Sequence, residues 1–128
     1  MQGNYAEARP LYKRSLAIKE KALGPEHPSV ATSINNLAEL FRAQGNYALA
    51  GPLFERSLTI REKALGPEHP DVATSLNNLA GLLQTQDNYA EAGPLSERSL
   101  TIREKALSPE HPDVATSLNN LVELLKTQ

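Results

Sequence analysis

The stretch AQGNYALAGPLFERSLTIREKALGPEHPDVATSLNNLAGLLQ, residues 43–84, decides the fold because it returns, with eight changes, as TQDNYAEAGPLSERSLTIREKALSPEHPDVATSLNNLVELLK at residues 85–126. A more divergent copy occupies residues 1–42, so Tyr5, Tyr47 and Tyr89 lie 42 residues apart. A fixed period of about 20–50 residues is typical of stacked repeat proteins, in which each repeat packs only on its neighbours. The chain therefore predicts a repeat array.

Composition excludes several classes of function. Hydrophobic residues make up 40% of the 128 residues, and the net charge is −2, so the basic surface of a nucleic-acid-binding protein is missing. No apolar run approaches the roughly 18 residues of a membrane span, and no secretory signal follows Met1. There is no cysteine. We expect a cytoplasmic protein that binds neither nucleic acid nor membrane.

Each copy predicts two helices. In the middle copy the first begins near Asn46 and carries an apolar or small residue at every third or fourth position, the spacing of an amphipathic helix. The second runs from about Pro70 to Thr85, with proline in its first turn. Between them lies the loop 66–70, GPEHP, whose Gly66 suits the left-handed residue that ends many helices. Six helices are expected in total.

Three local features qualify this picture. Pro52 falls inside the predicted helix, and we expect the helix to continue through it with a bend, because the apolar spacing stays in phase. Ser108 replaces the glycine of Gly66 in the last copy, which predicts slight strain at that helix end. Asn4 and Asn88 precede Glu7 and Glu91 by three residues, the spacing of a capping box.

The run VATSINNLAELFRAQGNY, residues 30–47, resembles a tetratricopeptide repeat. The longer period, the LGPEHP loop and the segment ARPLY at residues 8–12 are similar to the kinesin light chain subclass, since the usual period is about 34 residues. The resemblance implies an all-α fold, an antiparallel helix-pair solenoid with a right-handed superhelical twist. It also implies a non-catalytic scaffold for protein–protein interaction.

The resemblance also sets the phase of the repeats, because repeats of that family begin with the helix that carries the Asn-Asn pair. The chain then forms a single array over residues 1–128. It opens with an orphan second helix at 4–23, continues with full repeats at 29–65 and 71–107, and closes with an orphan first helix at 112–127.

In that family the first helices line a groove, and asparagine there grips the backbone of a bound peptide. An amide both donates and accepts, so it suits an extended peptide of varied sequence. The alternative is that one Asn of each pair bonds the adjacent repeat or solvent. The candidate groove residues are Asn35, Asn36, Asn77, Asn78, Asn119, Asn120, Thr32, Thr74, Thr116, Glu39, Arg42, Gln84, Glu123 and Lys126. They include no cluster of Lys or Arg, so a clamp for a terminal carboxylate is not expected.

No residues point to catalysis, a cofactor or a metal. His27, His69 and His111 recur once per repeat, too far apart to share one metal ion, and a loop or capping role is expected. Ser75 and Asp71 lie near His69 in sequence without a nucleophile elbow or a phosphate-binding glycine loop. The sequence predicts a protein that is not an enzyme.

The predicted orphan helices suggest a second function. Solenoids normally need polar caps at both ends, whereas the two end helices here carry apolar residues that lack a neighbouring helix. These residues are Tyr5, Leu11, Leu16, Ile18, Val114, Leu118, Leu121, Val122 and Leu125. We expect head-to-tail self-association, which runs on into filaments unless it closes a ring. The alternative to a peptide-binding scaffold is thus a structural, self-assembling repeat unit, natural or engineered.

Overall fold

The computed structural model describes residues 4–127 and confirms the all-α class. Within that range lie six helices and no strand: α1 (Tyr5–Leu23), α2 (Pro28–Ala43), α3 (Tyr47–Leu65), α4 (Pro70–Thr85), α5 (Tyr89–Ala106) and α6 (Pro112–Thr127). The bounds agree with the predicted helices to within a few residues. The phase of the repeats along the chain stays a prediction.

The chain divides into two compact units, Met1–Ala64 and Leu65–Gln128. In the first unit, Val30, Ala31 and Ile34 of α2 are buried against Ile60 of α3. Leu16 of α1 and Leu53 of α3 pack against this cluster.

The second unit follows the same plan. Ala80 of α4, Ala92 of α5 and Leu124 of α6 form its buried cluster, and partly buried apolar side chains of the same three helices surround it. We call α2, α4 and α6, which carry the Asn-Asn pairs, the first-type helices, and α1, α3 and α5 the second-type helices. In the first unit α2 packs between two second-type helices, and in the second unit α5 packs between two first-type helices.

The histidines begin the first-type helices. In each copy the imidazole Nδ1 accepts a hydrogen bond of 3.0 Å from the backbone N–H two residues later, of Ser29, Asp71 and Asp113 respectively. Because a helix start leaves its first N–H groups without intrahelical partners, this bond stabilises the start, and the expected capping role is confirmed. By contrast, the side chains of Asn4 and Asn88 make no capping hydrogen bond, so the capping-box prediction was wrong.

The prolines lie inside continuous helices, as predicted. Pro10, Pro52 and Pro94 are each the sixth residue of α1, α3 and α5. Proline has no backbone N–H, so each of these helices loses one backbone hydrogen bond. Because the loss falls near the helix start, most of the helix is unaffected.

Helix ends show how the copies differ. Gly24 and Gly66 adopt left-handed φ values of 91° and 94°. Ser108 does not adopt this conformation: α5 instead ends one residue earlier and Leu107 is extended, with φ −121°. The strain predicted at Ser108 is therefore avoided by shortening the helix. Among the described residues, the one non-glycine residue with positive φ is Asp87, at 62°, where the middle copy has Gly45 at 78°.

Replacing Asp87 with glycine should raise the free energy of unfolding by about 1 kcal/mol, because glycine adopts positive φ without steric cost. The lost bond from the Tyr89 hydroxyl to Asp87 Oδ1, 2.9 Å, is exposed and offsets little of this gain. Thermal unfolding measures the change. The matched control, Gly45→Ala, should destabilise by a similar amount, and a loss of stability in Asp87→Gly would show that the aspartate side chain outweighs backbone strain.

Candidate functional site

The Asn pairs of α4 and α6 come together in the second unit. Asn120 Nδ2 donates a hydrogen bond of 2.6 Å to Asn77 Oδ1, and both side chains are half-buried. These two helices therefore lie side by side, joined by the amides that we expected to face a ligand. In this unit the alternative interpretation is correct for Asn77 and Asn120, since one Asn of each pair bonds the neighbouring repeat.

Two other asparagines are exposed. Asn119 lies beside Asn120 on α6, and Asn36 occupies the equivalent of Asn120 on α2 in the first unit. Asn35 and Asn78 are half-buried. We call the exposed and half-buried polar residues of α4 and α6 that were predicted to bind a peptide the groove face of the second unit. They are Thr74, Asn77, Asn78, Gln84, Thr116, Asn119, Asn120, Glu123 and Lys126.

The predicted threonines are tied to the scaffold. Each threonine hydroxyl donates to the proline carbonyl four residues earlier, over 3.4 Å at Thr32 and Thr74 and 3.2 Å at Thr116. Thr32 and Thr74 also accept a hydrogen bond from a buried arginine. Thr116 and Thr32 remain exposed, whereas Thr74 is half-buried. On the groove face, Thr116 is therefore more exposed than Thr74.

The sequence interpretation missed the buried arginines, Arg61 in the first unit and Arg103 in the second. The Arg103 guanidinium donates to Ser117 Oγ at 2.9 Å, to the carbonyl oxygen of Asp113 at 3.2 Å and to Thr74 Oγ1 at 3.5 Å. Burial lowers the pKa of Arg103, and the nearby Asp113 carboxylate partly counteracts this. Arg103 thus links α4, α5 and α6 beneath the groove face.

A buried serine lies one turn before each of these arginines. Ser57 Oγ donates to the Ala31 carbonyl and Ser99 Oγ to the Ala73 carbonyl, both at 3.0 Å. Each bond joins a second-type helix to the preceding first-type helix. The Ser-x-x-x-Arg spacing puts both polar groups on one face of the helix, and this was the available sequence signal.

The variable positions of the predicted groove carry both signs of charge. Glu39 and Arg42 of α2 form an ion pair of 3.8 Å, and so do Glu123 and Lys126 of α6. Gln84 occupies the position of Lys126 on α4 and is half-buried. The exposed pairs contribute little to stability, so their charges remain available to a partner.

Most of the predicted self-association residues lie at the surface. Leu11, Ile18, Leu118, Val122 and Leu125 are exposed. Tyr5, Leu16 and Leu121 are half-buried.

Val114 is the exception, because only 3% of it is exposed. It shares one side of α6 with the buried Ser117 and Leu124, three and ten residues later, and this side faces the core of the unit. The prediction that Val114 belongs to an open surface was wrong.

No described helix is long and apolar enough to cross a membrane. Within residues 4–127, His, Asp and Glu side chains form no group of three that could hold a metal ion.

The tetratricopeptide repeat model matches residues 1–63, 30–92 and 71–128. No curated protein matched the chain. A crystal structure of nearly identical TPR-like repeats from Podosopora anserina, in a protein provisionally named a kinesin light chain, matches with a TM-score of 0.87 and 34% identity over 97% of this chain and 59% of that one. BtubC (BKLC) from P. vanneervenii matches with a TM-score of 0.88 and 26% identity over 97% and 50% of the two chains.

This chain thus spans between 50% and 59% of the length of these two proteins. The matched helices are TPR-like helix pairs, and the family model covers the repeats from one end of the chain to the other. The chain belongs to the tetratricopeptide repeat family, with repeats of the kinesin light chain-like type.

Proposed function

We propose that the chain is a non-catalytic scaffold that binds an extended segment of a partner protein along the groove face of the second unit. Tetratricopeptide repeats generally mediate protein–protein interaction or self-assembly. The observation that carries this proposal is the Asn120–Asn77 hydrogen bond, which places α4 and α6 side by side with exposed polar groups beside the bond.

The groove face suits a peptide backbone better than an apolar ligand. Asn119 offers an amide donor and acceptor to solvent, and Thr116 lies one turn before it. An extended peptide presents N–H and C=O groups along its length, and an amide pairs with either. The Glu123–Lys126 pair lies one turn further and offers both charges to side chains of the partner.

The test uses peptides selected from a random library on the immobilised chain, with affinity measured where the chain is a monomer. Asn119→Ala should weaken binding roughly tenfold, since a lost hydrogen bond to a buried peptide group costs about 1–1.5 kcal/mol. The matched control is Glu104→Ala on the exposed side of α5, which should leave affinity unchanged. Equal effects of the two substitutions would place binding elsewhere.

Self-assembly is a second candidate function, and a comparison of repeat positions favours it. Leu76 and Ala80 of α4 are 0% and 2% exposed, whereas Leu118 and Val122, their counterparts in α6, are 46% and 50% exposed. At the other end, Ile18 is exposed while its counterparts in α3 and α5 are buried. The same apolar positions are thus buried on the internal helices and exposed on the two end helices. Contact with a second copy would bury them, which is favourable.

Light scattering coupled to size exclusion, over a concentration series, tests self-assembly. We expect the mass to rise in steps above the 13.9 kDa of one chain. Leu125→Glu, at a residue that is 71% exposed, should raise the dissociation constant at least tenfold without unfolding the chain. A constant mass of one chain at all concentrations would exclude self-assembly, and Glu104→Gln serves as the surface control.

A further inference from the structure

We propose that two copies stack in the register of the repeat itself, so that α1 and α2 of the second copy follow α6 of the first as α5 and α6 follow α4 within the second unit. This inference rests on the proposed self-assembly and specifies its interface. Three sets of contacts inside the second unit act as templates for this interface. Each has an equivalent pair of residue positions in the stack, with one partner on α6 of the first copy and the other on α1 or α2 of the second copy. In the single chain these residues are exposed or half-buried.

The apolar template is the packing of α5 on α4. Ala92, with Tyr89 and Leu95 around it, packs on the α4 side chains Ala80 and Leu83. One repeat later, the equivalents of Ala80 and Leu83 on α6 are Val122 and Leu125, which are 50% and 71% exposed.

The α1 helix carries the matching side chains. Its Tyr5, Ala8 and Leu11 occupy the repeat positions of Tyr89, Ala92 and Leu95. Ala8 and Leu11 line an open apolar surface together with Tyr12 and Ser15. The side chains that fill the site on α4 thus have homologous copies, accessible on α1, for the site on α6.

The second template is the Asn pair. Inside the unit, the second Asn of α6 donates to the first Asn of α4, as Asn120 to Asn77. In the proposed stack the same relation pairs Asn36 of the second copy with Asn119 of the first. These two asparagines are exposed in the single chain, whereas the other four are half-buried. The polar pattern therefore indicates the same register as the apolar one.

The third template is the buried Ser and Arg pair of α5. Ser99 Oγ donates to the Ala73 carbonyl, and Arg103 reaches Thr74. The equivalent positions on α1 are Ser15 and Lys19, and those on α6 are Ala115 and Thr116. Ser15 would donate to the Ala115 carbonyl of the other copy.

Lysine in place of arginine makes the third contact weaker than its template. Lys19 can reach Thr116 of the other copy, but an ammonium group lacks the rigid fork with which Arg103 bonds three groups at once.

Further repeats flanking this sequence in a longer chain would compete for the same faces in cis, so the test uses the 128-residue chain.

Chemical cross-linking tests the register. The chain has no cysteine, so Asn36→Cys and Asn119→Cys can be prepared as separate variants and mixed with a short bis-maleimide. We expect cross-linked dimers in the mixture and few in either variant alone. A mixture of Asn36→Cys with Glu104→Cys, on the outer side of α5, is the control and should stay monomeric.

The outcomes separate the two proposals. Assembly by light scattering without the Asn36–Asn119 cross-link would overturn the register and leave self-assembly standing. Cross-linking of Asn36→Cys with itself would indicate a two-fold contact and also overturn it. A single-chain mass at all concentrations would overturn both.

A gain of association provides an independent readout. Lys19→Arg restores the template arginine and should lower the dissociation constant roughly fivefold, because the guanidinium bonds several groups at once. Lys21→Arg, an exposed lysine on the same helix, should have no effect. Equal behaviour of the two variants would contradict the proposed contact.

Discussion

Replacing Arg103 with alanine should lower the free energy of unfolding by about 3 kcal/mol. Arg103 is 6% exposed, and its guanidinium bonds Ser117, Thr74 and the Asp113 carbonyl. Truncation would leave these groups without partners in a buried place and create a cavity between the three helices of the second unit. Chemical denaturation followed by circular dichroism measures the loss.

Two further variants control this prediction. Arg103→Lys keeps the charge but cannot bond all three groups, so it should recover only part of the lost stability. Arg98→Ala, on the same helix, removes a half-buried arginine whose bond to the Pro67 carbonyl is exposed, and it should cost less than about 1 kcal/mol. A cost for Arg103→Ala as small as that for Arg98→Ala would mean that the buried network does not hold the unit together.

Replacing Phe54 with alanine should have the largest effect in the first unit, about 4 kcal/mol. The side chain is fully buried, and deletion of a buried ring removes its transfer free energy and leaves a cavity. Thermal and denaturant unfolding measure the loss.

The repeat supplies matched controls, because Tyr12 and Ser96 occupy the same position in the other copies. Tyr12 is 38% exposed, so Tyr12→Ala should cost about 1 kcal/mol, and Ser96→Ala should cost less still because little volume is lost. If Phe54→Ala cost no more than Tyr12→Ala, burial in the structure would not reflect packing that stabilises the fold.

The fold followed from the sequence because its determinants are local and repeated. Apolar spacing, Gly66 and the loop 66–70 place each helix, and the 42-residue period shows that every copy does the same. The starts of α1 and α5 could not be derived in the same way, since the side chains of Asn4 and Asn88 make no capping hydrogen bond although their spacing to Glu7 and Glu91 suggested one.

The arrangement of the candidate site was predicted only in part, for a geometric reason. The sequence identifies Asn77 and Asn78 but does not show which of the two side chains faces the next helix. Adjacent residues point in directions about 100° apart around the helix axis, so only one of them can make that contact. Arg103 was missed since arginine is mostly exposed, and its burial depends on partners from α4 and α6. Val114 was misassigned because the covered side of a helix depends on how its neighbour packs.

A nuclear magnetic resonance titration tests the central claim most directly. The ¹⁵N-labelled chain, at a concentration where it is monomeric, would receive a library-selected peptide. We predict that amide shifts concentrate on the groove face of the second unit, around Thr116, Asn119 and Glu123, and that a scrambled peptide leaves them unchanged. Shifts confined to the exposed side of α5, or a library that yields no binder, would contradict the assignment of this chain as a peptide-binding scaffold.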